Sequence, residues 1–217
     1  MAVSKAKVGI LISGRGSNMI ALVERAKDSD SPYEVAIVMS DRPDAAGLDW
    51  ARDAGLNVVE MPAPTPKHKS QFFQTLDDHL RAAGVECIAL AGFMRIVPPS
   101  FVEKWRGKIL NIHPSLLPKY KGLDTHARAI AAGDASGGCS VHIVTEELDG
   151  GPLVVQAVVP VESDDSAQTL AQRVHTQEHR IYPLAVRWFA EGRLILGEQG
   201  ALLDGQLLAA SGHLIRT

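Results

Sequence analysis

Three short stretches of the chain combine residue types that can do chemistry together. Asn111-Ile-His-Pro-Ser115 places an amide and an imidazole two residues apart. On an extended strand that spacing puts both side chains on one face. An amide N–H donates to a developing oxyanion and an imidazole moves protons near neutral pH, so Asn111 and His113 suit acyl transfer. The same two residue types at strand spacing also serve as plain structural residues. Glu147-Leu-Asp-Gly-Gly151 adds a carboxylate ahead of two glycines, whose backbone must bend tightly or lie close to a ligand. Beside His113, Asp149 would raise the imidazole pKa and hold the ring's orientation. Away from it, the stretch is a surface turn with its acids in water. Gly14-Arg-Gly-Ser-Asn18 offers glycine backbone and a helix start, a combination that favours a phosphate. It lacks the third glycine of the dinucleotide-binding pattern, so a single phosphate fits better, with a ligand-free strand–helix turn as the alternative.

The elements around these stretches alternate. Val8–Ser13, Val35–Ser40, Cys87–Ala91 and Ile109–Ile112 are short apolar runs, as strands buried on both faces require. Between them, Asn18–Lys27, Ala45–Ala54 and Ser70–Ala83 read as helices, the last two closed by Gly55 and Gly84. Val58–Met61 is short and extended, and the prolines of the segment 62–66 exclude a helix there. Farther on, Ser140–Thr145 and Pro152–Val161 read as two strands that extend the sheet in a mixed manner. Ser166–Glu191 has helical spacing, with Pro183 expected to kink it or start a new helix, and the tail from Gly192 reads as a small hairpin. The expected fold is α/β: a Rossmann-like, mostly parallel sheet flanked by helices, with a mixed C-terminal part. In such sheets ligands sit beyond the carboxyl ends of the strands, which is where all three stretches fall.

Bulk properties narrow the function classes. A chain of 217 residues fits one domain, with a phosphate-binding half over about 1–100 and a catalytic half over about 101–217. A net charge of -3 argues against nucleic acid or an anionic membrane as partner, because both need a basic excess. The two cysteines, Cys87 and Cys139, make no metal spacing and no disulfide framework, which fits a reducing compartment. The apolar run near the N-terminus is shorter than the roughly 7–15 residues of a signal core, and no run approaches the roughly 20 of a membrane span. The expectation is a cytoplasmic protein.

Five longer stretches carry a resemblance. LISGRGSN at Leu11–Asn18, LAGFMRIV at Leu90–Val97, LNIHPSLLPKYKGL at Leu110–Leu123, SVHIVTEELDGGP at Ser140–Pro152 and TQEHRIYP at Thr176–Pro183 run from the first strand to the last long helix. Together they resemble the folate-dependent formyltransferases, in particular the phosphoribosylglycinamide branch. The resemblance implies transfer of the formyl group of 10-formyltetrahydrofolate to the amine of phosphoribosylglycinamide, in de novo purine synthesis, without a metal. It implies that Gly16, Ser17 and Asn18 hold the substrate phosphate and that Glu178 binds the ribose hydroxyls. Met94, Arg95, Ile96 and Val97 would line the folate pocket, with Lys69 nearby and the backbone of Thr145, Glu146, Glu147, Leu148 and Asp149 on the pterin. Asn111 and His113 would polarise the formyl carbonyl and stabilise the tetrahedral intermediate, with Asp149 keeping His113 protonated and a bound water between them as the proton shuttle. Arg15 stands at a variable position of the phosphate loop. Lys69 stands where an arginine is frequent and lacks the bidentate fork. His142 is either a support for the site or a packed strand histidine. The expected assembly is a monomer or homodimer binding only small molecules. A deformylase-like hydrolase and a non-catalytic nucleotide-binding module are the rival readings.

Overall fold

The computed structural model describes residues 4–63, 65 and 68–216. They form two compact units, one running to Ile109 and the other from Leu110.

The first unit runs β1 (Ala6–Ile12), α1 (Ser17–Ala26), β2 (Tyr33–Ser40), α2 (Ala46–Asp53), β3 (Val58–Glu60), α3 (Lys69–Ala82), β4 (Cys87–Leu90) and α4 (Pro99–Lys104). β1 pairs in parallel with both β4 and β2, and β2 with β3. The apolar runs answer to this position: Val8, Ile10, Leu11 and Ile12 of β1 are fully buried, as strands covered by crossover helices must be. Gly55 and Gly84 follow α2 and α3 in left-handed backbone, at φ 74° and 70°. Of the proline segment, Pro62, Ala63 and Thr65 lie outside any helix, while Pro64 and Pro66 fall outside the described residues. α4 was not expected; Pro99 opens it, and it buries Phe101 and Val102. The inner face of α3 holds a buried carboxylate, Asp77, which accepts from Trp105 Nε1 (2.8 Å), Arg81 Nε (2.9 Å) and Lys104 Nζ (3.0 Å). Burial pushes the Asp77 carboxyl up, but these donors outweigh it and hold it below its ordinary value.

The second unit comprises β5 (Ile109–His113, entering one residue before the boundary), α5 (Thr125–Ala131), β6 (Ser136–Ile143), β7 (Leu153–Pro160), α6 (Ala167–Ala190), β8 (Leu194–Gly197), β9 (Gly200–Leu203), β10 (Gln206–Leu207) and β11 (His213–Arg216). β6 pairs antiparallel with β5 and with β7, and β11 runs parallel to β7. This is the mixed region expected from the sequence. β6 begins four residues earlier than its side-chain pattern indicates, because Gly137 and Gly138 carry no pattern. At Gly138 a Cβ would collide with the Ala157 carbonyl oxygen of β7, so the pairing there requires glycine. α6 packs on β6 and β7 and opens with a capping box formed by Ser166 and Thr169. Pro183 neither breaks the helix nor starts a new one, since α6 is continuous through it. Burial of Ile181, Tyr182, Ala185 and Val186 on either side outweighs the lost backbone bond, and Tyr182 Oη donates to the Leu110 carbonyl at 2.9 Å. The tail exceeds the expected hairpin: β8, β9 and β10 make a three-stranded antiparallel sheet, and β11 returns to β7. Among the described residues, no helix is long and apolar enough to cross a membrane.

Candidate active site

The end of β5 brings four polar side chains of the second unit together. The antiparallel register sets Asn111 opposite His142 and His113 opposite Ser140. Asn111 Nδ2 lies 3.1 Å from His142 Nε2, and His142 Nδ1 lies 3.2 Å from the Ile143 carbonyl. A His142 that donates from Nδ1 to that carbonyl accepts the Asn111 amide at Nε2, which fixes the way the amide points. The structure thus sets His142 against two of the candidate residues, Asn111 and Asp149. Asp149 comes back over the same strand end. Its Oδ2 is 3.5 Å from His113 Nδ1 and its Oδ1 is 3.7 Å from His142 Nε2. The Gly122 N–H donates to the same Oδ2 at 3.0 Å. Asp149 sits at φ 48°, a left-handed conformation that Asp tolerates better than most residues. The glycines after it serve packing: a Cβ on Gly151 would collide with the Ile143 carbonyl oxygen, and one on Gly150 with the Glu147 side chain.

His113 is 6% exposed, and its other ring nitrogen, Nε2, is 2.9 Å from the carbonyl of Tyr120. Both nitrogens thus face acceptors, an arrangement that the imidazolium would satisfy. Burial nevertheless wins: it pushes the His113 pKa below its ordinary value of 6.5, against the upward pull of the Tyr120 carbonyl and the Asp149 carboxylate. The carboxylate pulls the ring toward its charged form, as expected of it, and burial pulls the other way. Asp149 itself is raised by burial but brought down to about 2 by His142, the Gly122 N–H and His113. Burial thus favours the neutral ring, beside a carboxylate held in its ionised form.

The remaining candidates lie in their separate units. In the first, Gly16 caps α1 at φ 72° and ψ 28°, a conformation for which glycine is suited, and Asn18 is buried at the start of the helix. Met94 and Ile96 stand in the loop between β4 and α4 with 68% and 64% of their surfaces exposed. Arg95 and Met94 are tied to the strand ends by residues that were not singled out for this purpose. Arg95 Nε pairs with Asp41 Oδ2 at 2.6 Å, Ser13 Oγ donates to Asp41 Oδ1 at 2.5 Å, and the Met94 N–H donates to Ser13 Oγ at 2.9 Å. The available signal was the two polar residues closing two apolar strand runs. Val97 is half-buried, and Lys69, the first residue of α3, is exposed. In the second unit, Thr145 to Leu148 form the partly exposed loop that carries Asp149, with Lys121 Nζ on Glu147 Oε1 at 2.6 Å. Glu178 is buried on α6, 3.5 Å from His175 Nε2.

A half-buried amide and a buried neutral imidazole, backed by a carboxylate at the end of a core strand, make up the equipment of an acyl-transfer centre. The comparisons with known proteins agree in kind. The family model described as formyl transferase matches residues 6–186, and the chain belongs to that family. Phosphoribosylglycinamide formyltransferase of Escherichia coli (strain K12) is 46% identical over 204 residues, covering 94% of this chain and 96% of that protein. The solved structure of phosphoribosylglycinamide formyltransferase from Coxiella burnetii is 41% identical with a TM-score of 0.91, covering 98% of this chain and all of that one. A formyltetrahydrofolate deformylase of Pseudomonas syringae has a TM-score of 0.85 at 24% identity, over 92% of this chain and 66% of that one, a likeness of fold alone.

Proposed function

We propose that the protein is a phosphoribosylglycinamide formyltransferase, which moves the formyl group of 10-formyltetrahydrofolate to the glycinamide amine of its phosphorylated ribosyl substrate in purine synthesis. The carrying observation is the Asn111, His113 and Asp149 arrangement, supported by near full-length likeness to proteins of that name. The amine nitrogen attacks the formyl carbon, and the carbonyl electrons move to oxygen. Asn111 Nδ2, already aimed by His142, donates to that oxyanion. Neutral His113 takes up the proton shed by the amine, directly or through a water. The Asp149 carboxylate then stabilises an imidazolium that burial disfavours in the resting site, so the stabilisation is greatest as charge develops. Collapse of the intermediate breaks the bond from carbon to N10, which receives the proton. Atoms and charge balance with no further reactant, and no metal takes part.

In this reading Gly16, Ser17 and Asn18 hold the substrate phosphate and Glu178 the ribose hydroxyls. Met94 to Val97, Lys69 and the backbone of Thr145 to Asp149 receive the folate. The exposed apolar side chains of Met94 and Ile96 in the first unit, and of Leu148 in the second, support that assignment, since each is open to contact with an apolar ligand surface. A cytoplasmic location is supported by two buried free thiols, as a reducing compartment would keep them. For assembly state we retain the monomer or homodimer, decided by light scattering. The function is tested by following folate turnover with and without the ribonucleotide. Turnover that needs the ribonucleotide and collapses in His113→Ala supports the reading, whereas turnover without any amine acceptor identifies a hydrolase instead.

A further inference from the structure

Tyr120 is held in place from several sides. It sits at φ 57°, an unusual backbone conformation for an aromatic residue. Its hydroxyl donates to Asp134 Oδ2 at 2.8 Å, and Lys119 Nζ pairs with both Asp134 oxygens at 2.9 and 3.0 Å. The Arg128 guanidinium lies over the Tyr120 ring, 5.2 Å from its centroid, while its Nη1 donates to the carbonyls of Lys121 (2.7 Å) and Leu123 (3.2 Å). Ser115 Oγ donates to the Lys119 carbonyl at 2.6 Å. The Tyr120 carbonyl is the group these contacts aim, and it points at His113 Nε2, 2.9 Å away. Ser115, Lys119, Tyr120 and Asp134 also line a cavity of about 460 Å³.

We infer that Asp134 and Tyr120, with Arg128 as brace, are positioning residues for His113: the anchored Tyr120 carbonyl holds the proton on Nε2 and thereby turns a basic Nδ1 toward Asp149. A buried histidine with one nitrogen engaged has its tautomer and ring orientation set by that bond. Without the carbonyl, the proton would move to Nδ1 to satisfy Asp149 Oδ2, and the basic nitrogen would face away from the carboxylate that stabilises its charge. The inference rests on the proposed role of His113. The charged and titratable groups facing that ring are Asp149, His142 on β6, and Arg128 and His126 on α5.

The test is nitrogen-15 NMR of histidine-labelled full-length protein, with His113 assigned by a His113→Gln spectrum, on the parent and on Tyr120→Phe and Asp134→Asn. The parent is expected to show a protonated Nε2 at pH 7.5. In both variants the two nitrogen shifts of His113 should move toward each other or exchange, and its titration midpoint should fall, because a carbonyl that favours the charged ring is displaced. The value of kcat should drop about tenfold with KM for the ribonucleotide unchanged, the range seen for supports of reactive groups. Unchanged His113 shifts in both variants overturn the inference, whatever the activity, and so does a lowered Tm without a change at His113. A parent lacking formyl transfer would refute the proposed function and leave the NMR arm to decide the positioning separately.

Discussion

Asp149→Asn isolates charge from shape. Asparagine tolerates the left-handed backbone at this position, and its carbonyl can still accept the Gly122 N–H. What is lost is a full negative charge 3.5 Å from His113 Nδ1, on a side chain only 9% exposed. Two unit charges at about 4 Å in a medium of effective dielectric 20 interact by about 4 kcal/mol. Neighbouring dipoles and water recover part of this, and opposite charges at such range typically shift a pKa by about one to three units. The His113 midpoint should therefore fall by that amount from its already depressed position. If the imidazolium forms during transfer, the barrier rises by roughly 1.4–4 kcal/mol and kcat falls about 10- to 1000-fold. The assay is initial-rate formyl transfer from pH 5 to 8, paired with an NMR titration of His113. Because Asp149 is held near pKa 2, the parent's rate should not fall over that range through protonation of the carboxylate. Any acid limb belongs to the imidazole. A variant rate within threefold of the parent, with His113 shifted as expected, would show that no charge develops on the ring and would refute the mechanism.

Other outcomes follow from single contacts. Asp41→Asn takes the charge from beside Arg95; an opposite charge at this range typically shifts a pKa by about one to three units, so its loss is worth about 1.4–4 kcal/mol. KM for the folate should rise roughly tenfold or more, while KM for the ribonucleotide stays fixed in the same steady-state assay. Gly16→Ala imposes a Cβ at φ 72°, 3.0 Å from Met19 Cε and 3.3 Å from Gly47 Cα. It should cost about 1–2 kcal/mol in urea unfolding and raise KM for the ribonucleotide. Asp77→Ala strands the buried Trp105 Nε1 donor, while water takes up the exposed Lys104 and Arg81, and should cost about 1–3 kcal/mol by the same unfolding measurement. Burial depresses His113, His126 and His179, so the folded chain binds fewer protons than the unfolded chain below the ordinary value of 6.5. Their contribution is complete above that value and is lost as pH falls through the folded values, so calorimetry should give a lower Tm at pH 5.5 than at pH 7.5.

Much of the frame was legible because strands buried on both faces need unbroken apolar runs, and helices need glycine stops. Val8 to Ser13 could hardly be anything but a core strand ahead of a loop. Asn111 and His113 were legible as a pair because strand spacing alone sets their common face. What escaped had no local signature. β6 hides its first half behind Gly137 and Gly138, whose requirement comes from the Ala157 carbonyl of another strand. Pro183 carries a real local penalty that only the burial of its neighbours offsets. Tyr120 and Asp134 lie fourteen residues apart and meet only through the turn of α5. The burial of His113 was not legible either, because a sequence shows that an acid can be near but not how dry the site is.

The strand at the chain's far end has a bearing on solubility. β7 is built from Leu153-Val-Val-Gln-Ala-Val-Val-Pro160, with six of its eight residues buried. Left as the margin of its sheet, it would present unpaired N–H and C=O groups beside β-branched side chains, the template on which chains recruit one another into aggregates. β11 takes that margin instead, and His213, Leu214 and Arg216 of its four residues are exposed. A short strip carrying a cation and an imidazole is a poor partner for further strands. These four residues, remote from any chemistry, settle what the molecule declines to stick to, and removing them should be felt first as precipitation rather than as lost catalysis.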